Sequence, residues 1–251
     1  EGILMALETG ARPAGQWGDY HSAVLDARSP KEECGVTALY NYQMGIFVDQ
    51  SGKRFLDEGE DYRDNTYVKF SKYIIDQANG LAFSIFDDKM VSRPEFHRAW
   101  RPVGEPFQAD SLEELADKLG ISGAALVQTV REFNAAIQPG ELDLDCLDGK
   151  HTEGITPPKS NWAIPIDTPP FTAVPVTGGI TFTFGGLKTS VNGQVIDTSE
   201  KVIGGLYAAG ELIGEVYYYN YPGATSVIRG AVFGRIAGRH AAGRAKGAGS
   251  S

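Results

Sequence analysis

Three glycines recur at intervals of four residues near the carboxyl end of the chain. Gly230, Gly234 and Gly238 belong to a stretch, starting at about Thr225, whose pattern predicts a helix. Residues four apart lie on the same face of a helix, so the glycines would form one smooth ridge. A ridge without side chains admits another backbone, or a flat ligand, at very short distance. Such close packing is the first chemistry that the sequence indicates.

The same glycine spacing is found where two membrane-spanning helices pair. Arg229, Arg235 and Arg239 lie in the same predicted helix, however, and arginine side chains are costly to place in lipid. No apolar run in the sequence approaches the roughly 20 residues that span a bilayer. The sequence therefore predicts no membrane span.

The ridge ends a longer motif, GLYAAGELIGEVYYYNYPGATSVIRGAVFGRIAG, which runs from Gly205 to Gly238. This motif resembles the C-terminal part of the fumarate reductase and succinate dehydrogenase flavoprotein family. In that family a GLYAAGE strand precedes a glycine-rich loop and a helix that ends in FGRIAG, and the two patterns match without a gap. The resemblance implies FAD as the cofactor and an FAD-dependent dehydrogenase or reductase as the activity.

The motif is where the resemblance implies contacts with the flavin. A strand that ends at Gly210 would let Glu211 accept a hydrogen bond from a ribityl hydroxyl, and the loop around Gly223 would leave space for the ring. The start of the last helix would offer N–H groups and a positive dipole end to the ring. The residues expected to bind the cofactor are Gly186, Gly210, Glu211, Asn220, Gly223, Thr225, Ser226 and Val227. The alternative is a strand, loop and helix packed by small residues without a cofactor.

The resemblance extends through almost the whole chain and indicates a catalytic arginine. The segment GIFVDQSGKRFLDEGEDYRD is similar to the family's VNxxGxRFxxE hairpin, and the loop after that hairpin carries the arginine. Arg63 is the best match, with one residue inserted before it, and would transfer a proton. A guanidinium has a pKa above about 12, so nearby carboxylates must draw its proton away. Glu58, Glu60 and Asp61 are close in sequence. The alternative is a solvated arginine in an acidic turn.

Four residues are expected to contact the substrate: His21, Thr181, Asn220 and Tyr221. The family places a histidine shortly after the helix that GILMALETGA resembles. His21 stands there, in what we expect to be a loop, and a structural hydrogen bond is its alternative role. Fumarate reductases of the family carry two histidines before a TMGG-like turn and an arginine after the loop asparagine. This chain has Thr181-Phe182 and Tyr221 at those places, which argues against fumarate itself because a phenol lacks the cation's charge.

Within the family, DEGEDYR, GGITFTFGG and NYPG look closest to tricarballylate dehydrogenase-like members. That resemblance implies hydride transfer between flavin and the carbon–carbon bond of a small di- or tricarboxylate such as tricarballylate. An electron-transfer partner is compatible with this chemistry.

Tyr221 is expected to be catalytic as well. Followed by Pro222 and Gly223, it resembles the tyrosine of ketosteroid dehydrogenases, whose phenol assists enolisation of a carbonyl. A ketosteroid-type dehydrogenase is therefore an alternative function, although the charged loop at Arg63 counts against it. A wall of aromatic rings is the alternative role for Tyr217, Tyr218, Tyr219 and Tyr221.

The elements that would position these residues follow from periodicity and turn residues. A short helix is expected at residues 1–11, and a β-hairpin is expected from Gln43 to Glu58. Ser111 and Glu114 form a capping box before a helix that Gly120 ends. Further expected elements are a helix at 67–75, a strand at 81–86, a helix with the apolar stripe Leu126, Val130, Phe133 and Ile137, an irregular connection at 139–170, β-structure from 171, an Asn192-Gly193 turn and the final helix.

The expected fold class is α+β, with two domains. A complete family member begins with a strand, a GxGxxG turn and a helix, and no GxGxxG occurs in this sequence. We therefore expect an inserted cap or substrate domain at 21–179 and the C-terminal remainder of an α/β FAD-binding domain at 1–20 and 180–251, with the N-terminal dinucleotide-binding βαβ absent. The chain alone would bind FAD poorly and need that segment as a partner. A non-catalytic binding or structural module is the alternative.

Composition excludes other classes. The formal net charge of −9 argues against an electrostatic nucleic-acid binder, and an anionic ligand must be met by a few local arginines. Cys34 and Cys146 belong to no CxxC or Cys/His spacing, so neither a disulfide framework nor a metal site is expected. A reducing, cytoplasmic location fits this cysteine usage best.

Overall fold

The computed structural model describes residues 1–32, 37–98 and 100–248. Within these ranges the strands are β1 (Pro13–Ala14), β2 (Tyr20–Asp26), β3 (Ile46–Asp49), β4 (Ala82–Phe86), β5 (Phe107–Ala109), β6 (Phe171–Thr183), β7 (Gly186–Leu187), β8 (Gln194–Ile196) and β9 (Val202–Tyr207). The α-helices are α1 (Gly2–Glu8), α2 (Arg63–Gln77), α3 (Asp88–Val91), α4 (Pro94–His97), α5 (Leu112–Leu119), α6 (Gly123–Ala136) and α7 (Thr225–Ala248). This mixture of helices and sheets agrees with the predicted α+β class.

The chain forms two compact units. The split unit comprises Glu1–His21 and Ile180–Ser251, and the inserted unit comprises Ser22–Gly179. These bounds fall within one residue of the domain bounds expected from the sequence. The roles expected for the units, a flavin-domain remainder and a substrate cap, stay predictions.

The inserted unit is built on an antiparallel sheet. Its strands follow the order β2, β6, β4 and β3, and β5 also pairs with β6. Ile46 lies opposite Ile85 across β3 and β4, and Ile85 lies opposite Ala173 across β4 and β6. Side chains of α5 and α6, among them Leu115 and Phe133, are buried against this sheet and complete its core.

Two helices of the inserted unit show how local signals set their ends. The hydroxyl of Ser111 accepts a hydrogen bond from the N–H of Glu114 at 3.1 Å, and Gly120 ends α5 in the left-handed conformation, as the sequence predicts. The predicted helix at 67–75 instead begins at Arg63. Its first turn is supported by Asp61, whose carboxylate accepts from the side-chain amide of Asn65 at 3.0 Å.

The hairpin expected from Gln43 to Glu58 is only half formed. Its turn is present, since the N–H of Gly52 donates to the carbonyl of Asp49 at 2.9 Å. The exit segment is irregular, and β3 pairs with β4 instead. The reason is a buried ion pair: Arg54 and Glu58 lie 2.5 Å apart, and Arg54 also donates to the carbonyl of Pro157. These side chains face inward and hold the segment away from a strand geometry.

The split unit holds two short antiparallel pairs, β1 with β7 and β8 with β9. Ala6, Leu187, Val195, Ala208 and Ile213 form its small apolar core. The predicted Asn192-Gly193 turn is confirmed, because the N–H of Gly193 donates to the carbonyl of Ser190 at 2.9 Å and leads into β8. The predicted final helix is α7, and the β-structure expected from residue 171 begins with the 13-residue strand β6.

Candidate active site

Four aromatic rings and one imidazole cluster in the split unit. The His21 ring stacks on Phe182 with 5.0 Å between centroids, and its edge contact with Tyr221 measures 4.2 Å. The ring centroid of Tyr217 lies 5.1 Å from that of Tyr221 and 5.8 Å from that of Phe184. Two of the four tyrosines expected to form an aromatic wall, Tyr217 and Tyr221, are buried there, whereas Tyr218 and Tyr219 are exposed. The ring cluster, as we call these five residues, brings His21 and Tyr221 together.

His21 is held by a neighbouring strand. It lies in β2 and not in the loop expected from the sequence. Its Nδ1 forms a short hydrogen bond with the hydroxyl of Thr181 in β6, and that hydroxyl also lies 3.2 Å from the His21 carbonyl oxygen. Two of the four residues expected to contact substrate are therefore bonded to each other, and this fixes the plane of the imidazole.

Tyr221 is fixed at the start of α7. Its phenol oxygen accepts from the N–H of Ser226 at 3.0 Å and donates to the Ser226 hydroxyl at 3.1 Å. The side-chain oxygen of Asn220 accepts from the N–H of Tyr221 at 2.9 Å, which shapes the loop before it. Thr225 closes the same turn, since its hydroxyl donates to the carbonyl of Pro222 at 2.7 Å.

The loop that carries these residues is strained. Glu215, Tyr219 and Ala224 adopt positive φ angles of 67°, 59° and 64°. Each costs on the order of 1 kcal/mol or more in a residue with a Cβ, and such backbone persists where the surroundings over-determine it. Strain of this kind concentrates at binding and catalytic sites, which agrees with the role that the sequence indicates for the loop.

Glu211 borders a cavity of about 260 Å³ beside the ring cluster, which we call the small cavity; its other lining residues are Thr181, Phe182, Ser226, Val227 and Arg229. Glu211 follows Gly210, whose φ of +64° favours glycine. Its carboxylate accepts from the N–H of Thr183 at 3.4 Å and so reaches the end of β6. Glu211, Ser226 and Val227, three of the expected cofactor residues, thus share one cavity wall.

The start of α7 leaves open room. A Cβ added at Gly223 would meet no heavy atom within 4 Å, and the Val227 side chain is 73% exposed. With an acceptor at Glu211, a hydroxyl at Ser226 and the positive end of a long helix, these residues fit the ribityl chain and ring of FAD. They offer nothing comparable to a pyrophosphate-binding GxGxxG turn.

Two further expectations concerned glycines: Gly186 as a cofactor contact, and the glycine ridge of α7 as a surface for close packing. A Cβ at Gly186 would lie 2.6 Å from both the Gly214 nitrogen and the Leu212 carbonyl oxygen, so packing within the protein explains this glycine without a cofactor. The ridge was expected to approach either another backbone or a flat ligand. At Gly230 the neighbour is a backbone, because a Cβ there would lie 4.0 Å from the Cα of Gly210.

Arg229 is a site residue that the sequence reasoning missed. It is 5% exposed, and its guanidinium carbon lies 5.3 Å from the Phe182 ring centroid and 4.8 Å from that of Tyr217. From the sequence it served only as a charge that argued against a membrane helix. The available signal was its position one turn into a helix that starts at the loop expected to bind the flavin.

Arg63 belongs to the inserted unit, at the first position of α2. Its side chain is 41% exposed and forms hydrogen bonds of 3.1 and 3.0 Å with the carboxylate of its neighbour Asp64. The carboxylates expected to assist it are engaged elsewhere: Glu58 with Arg54, Glu60 with Lys69, and Asp61 within its own turn. The carboxylate next to Arg63 is therefore that of Asp64.

Neither a metal-binding cluster nor a membrane-spanning helix occurs among the described residues. Within residues 1–32, 37–98 and 100–248, no group of three or more His, Cys, Asp and Glu side chains is arranged to hold a metal ion. In the same ranges no helix combines the length and apolarity that crossing a bilayer requires. Cys146 is exposed and unpaired, and Cys34 lies outside the described residues.

Several known proteins are similar to this chain in sequence and architecture. The family model described as FAD binding domain matches residues 9–227. A probable fumarate reductase, Ifc3, of Shewanella frigidimarina (strain NCIMB 400) is 31% identical over 246 residues, which cover 96% of this chain and 38% of that protein. The open conformation of a flavocytochrome c3 fumarate reductase has a TM-score of 0.70 at 29% identity, covering 96% of this chain and 39% of its own.

A second type of oxidoreductase is also similar. The crystal structure of 3-ketosteroid delta1-dehydrogenase from Sterolibacterium denitrificans, in complex with 1,4-androstadiene-3,17-dione, has a TM-score of 0.69 at 26% identity and covers 97% of this chain and 46% of its own. The chain thus spans less than half the length of these relatives. Because the family model matches most of the sequence, the chain belongs to the FAD binding domain family, the fumarate reductase and succinate dehydrogenase flavoproteins, which are FAD-dependent oxidoreductases acting on carbon–carbon bonds.

Proposed function

We propose that the protein containing this chain oxidises or reduces the carbon–carbon bond next to a carboxylate of a small acid, with tricarballylate among its candidate substrates. The observation that carries the proposal is the ring cluster, where His21, Thr181 and Tyr221 lie beside a cavity lined by Glu211 and Arg229. A pocket of apolar rings with a few fixed polar groups is the usual form of a small-molecule site.

The cofactor would be held at the start of α7. Glu211, Asn220, Ser226 and Val227 are the residues that would hold FAD, which when bound supplies hydride exchange with a substrate carbon. We further propose that the adenosine half is bound by residues outside these 251, because the sequence has no GxGxxG turn. The inserted unit would act as the substrate cap.

The residues of this chain would orient the substrate and move its proton. His21, whose ring plane is fixed by Thr181, would face a substrate oxygen, and the ring cluster would exclude water. Arg63 would exchange a proton with the carbon next to the one that exchanges hydride. Asp64, 3.0 Å from the guanidinium, would relay that proton.

A ketosteroid-type dehydrogenase is the second candidate. The buried phenol of Tyr221, held at a helix start by Ser226, supports it, because its O–H would turn from the Ser226 hydroxyl to a substrate carbonyl and polarise that carbonyl. The cation Arg229 in the small cavity favours a carboxylate substrate over a steroid ketone.

The test compares the complete gene product with this 251-residue chain. Each is titrated with FAD by absorbance and then mixed anaerobically with tricarballylate, succinate or a 3-ketosteroid. We expect the complete product to bind FAD and a carboxylate to bleach it. Bleaching by the ketosteroid alone would support the second candidate, and failure of both forms to bind FAD would overturn the proposal.

A further inference from the structure

Arg229 is a buried cation with few polar partners. It is 5% exposed, and in the described part of the chain its guanidinium makes one hydrogen bond, from Nη1 to the carbonyl of Ile213 at a long 3.4 Å. Its buried Nε has no hydrogen-bond partner among those residues. A guanidinium has five N–H donors, so most of its capacity is unused.

The surroundings of Arg229 disfavour an uncompensated charge. Burial lowers the pKa of Arg229, and the neighbouring Tyr217, Glu211 and Tyr221 offset this only in part. The faces of Phe182 and Tyr217 flank the guanidinium and hold it in a defined plane. A buried, unpaired cation is expensive, and proteins keep such groups where a ligand completes them.

The same side chain opens onto space of ligand size. Arg229 lines the small cavity together with Thr181 and Ser226, and it also lines a neighbouring cavity of about 540 Å³ with Tyr217 and Asn220. Its contacts Phe182 and Tyr217 both touch Tyr221, at 5.3 and 5.1 Å, so the guanidinium belongs to the ring cluster. A planar anion entering either cavity would meet its free N–H groups.

We propose that Arg229 is the substrate-binding cation of this site and pairs with one carboxylate of the substrate, which the ring cluster holds in plane. This inference rests on the proposed function and adds to it the group that recognises the acid. The hydroxyl of Ser226, which lines the same cavity and accepts from the Tyr221 phenol, would donate its own proton in a further hydrogen bond to the anion.

The experiment uses the complete, FAD-loaded gene product with the substitutions Arg229→Met and Arg229→Lys. Dissociation constants are measured by flavin difference absorbance for a bleaching acid from the previous assay and for its neutral amide. Arg235→Gln, an exposed arginine of the same helix, is the matched control. We expect Arg229→Met to weaken acid binding about 10- to 100-fold, the range for a charge-assisted hydrogen bond, and to leave amide binding unchanged. Arg229→Lys should recover part of the loss.

A second readout separates this role from a structural one. Because Arg229→Met removes an unpaired buried charge and keeps an apolar chain between the rings, we expect the ligand-free variant to melt at or above the wild-type temperature. Marked destabilisation with unchanged acid binding would overturn the inference. So would a weakened affinity for FAD with unchanged acid binding, which would assign the cation to the cofactor. If the wild type binds no acid at all, the proposed function and this inference both fail, whereas an acid that binds equally well to the wild type and Arg229→Met overturns the inference alone.

Discussion

The phenol of Tyr221 and the first turn of α7 are joined at Ser226, which contributes both its N–H and its hydroxyl to the contact, at 3.0 and 3.1 Å. A tyrosine thus acts as the N-terminal cap of a helix whose start is the expected flavin site. The Tyr221 ring and the start of α7 therefore cannot move independently.

Tyr221→Phe tests this link. The change leaves the Ser226 N–H without its partner, and we expect a loss of about 1 kcal/mol in the free energy of unfolding, measured by urea denaturation of the complete product. A carboxylate dehydrogenase should keep most of its kcat, whereas a ketosteroid-type enzyme should lose it. Tyr218→Phe, at an exposed ring, is the control and should change neither quantity.

Arg63→Lys tests the proton-transfer role. Lysine keeps the charge but not the planar fork that binds Asp64, so we expect kcat to fall about 10²- to 10⁴-fold, with the flavin spectrum unchanged. Stopped-flow reduction of the flavin measures this step. Arg131→Lys, at an exposed position of α6, is the control. A rate within a factor of two of the wild type would remove Arg63 from the mechanism.

Gly59→Ala tests the packing that positions the Arg63 turn. A Cβ there would lie 2.2 Å from the Asn161 carbonyl oxygen and 2.7 Å from its nitrogen, and neither backbone atom can yield easily. We expect a destabilisation of about 3 kcal/mol by urea denaturation. Gly123→Ala, whose Cβ would make an ordinary contact at 3.5 Å at the start of α6, should change stability by less than about 1 kcal/mol. Equal effects of the two would show that the contact at Gly59 relaxes.

Lys159→Met tests a buried ammonium in the inserted unit. The Lys159 Nζ donates to the carbonyls of Gln43 and Gly45, and burial lowers its pKa from 10.5 to about 8. Between these two values the unfolded chain binds more protons than the folded one, so the lysine makes stability rise with pH from about 8 to about 10.5.

We expect the wild type to gain stability relative to Lys159→Met over that window, by up to about 3 kcal/mol. Urea denaturation of both proteins at pH 7.5, 9 and 10.5 measures the difference in their free energies of unfolding. Contributions from groups that titrate in both proteins cancel in this difference. A difference that stays constant with pH would contradict the lowered pKa.

Local signals in the sequence predicted some elements to the residue. The cap at Ser111 and the stop at Gly120 bound α5, because these residues form their hydrogen bonds and backbone angles within one helical turn. The same reasoning failed after Gly52. The segment there is shaped by Arg54, which bonds the carbonyls of Pro157 and Pro158 about a hundred residues away, and an apolar pattern carries no information on such partners.

The residues of the candidate site also fall into two groups, those predicted from a local motif and those that only the fold reveals. Residues within one contiguous motif, such as Glu211 and Ser226, were predicted and line one cavity. The bond between His21 and Thr181 joins strands 160 positions apart in the chain, and only the fold shows it. The sequence did not predict the position of Arg229, because its burial depends on two rings, Phe182 and Tyr217, that approach it from other segments.

The chain leaves the split unit in β2 and returns in β6, two strands that are neighbours in one sheet. Its exit at His21 and its re-entry near Thr181 are within hydrogen-bonding distance of each other. A segment whose two ends lie side by side can be gained, lost or exchanged in a gene without pulling its host apart. Residues 22–179 thus have the layout of an exchangeable cassette.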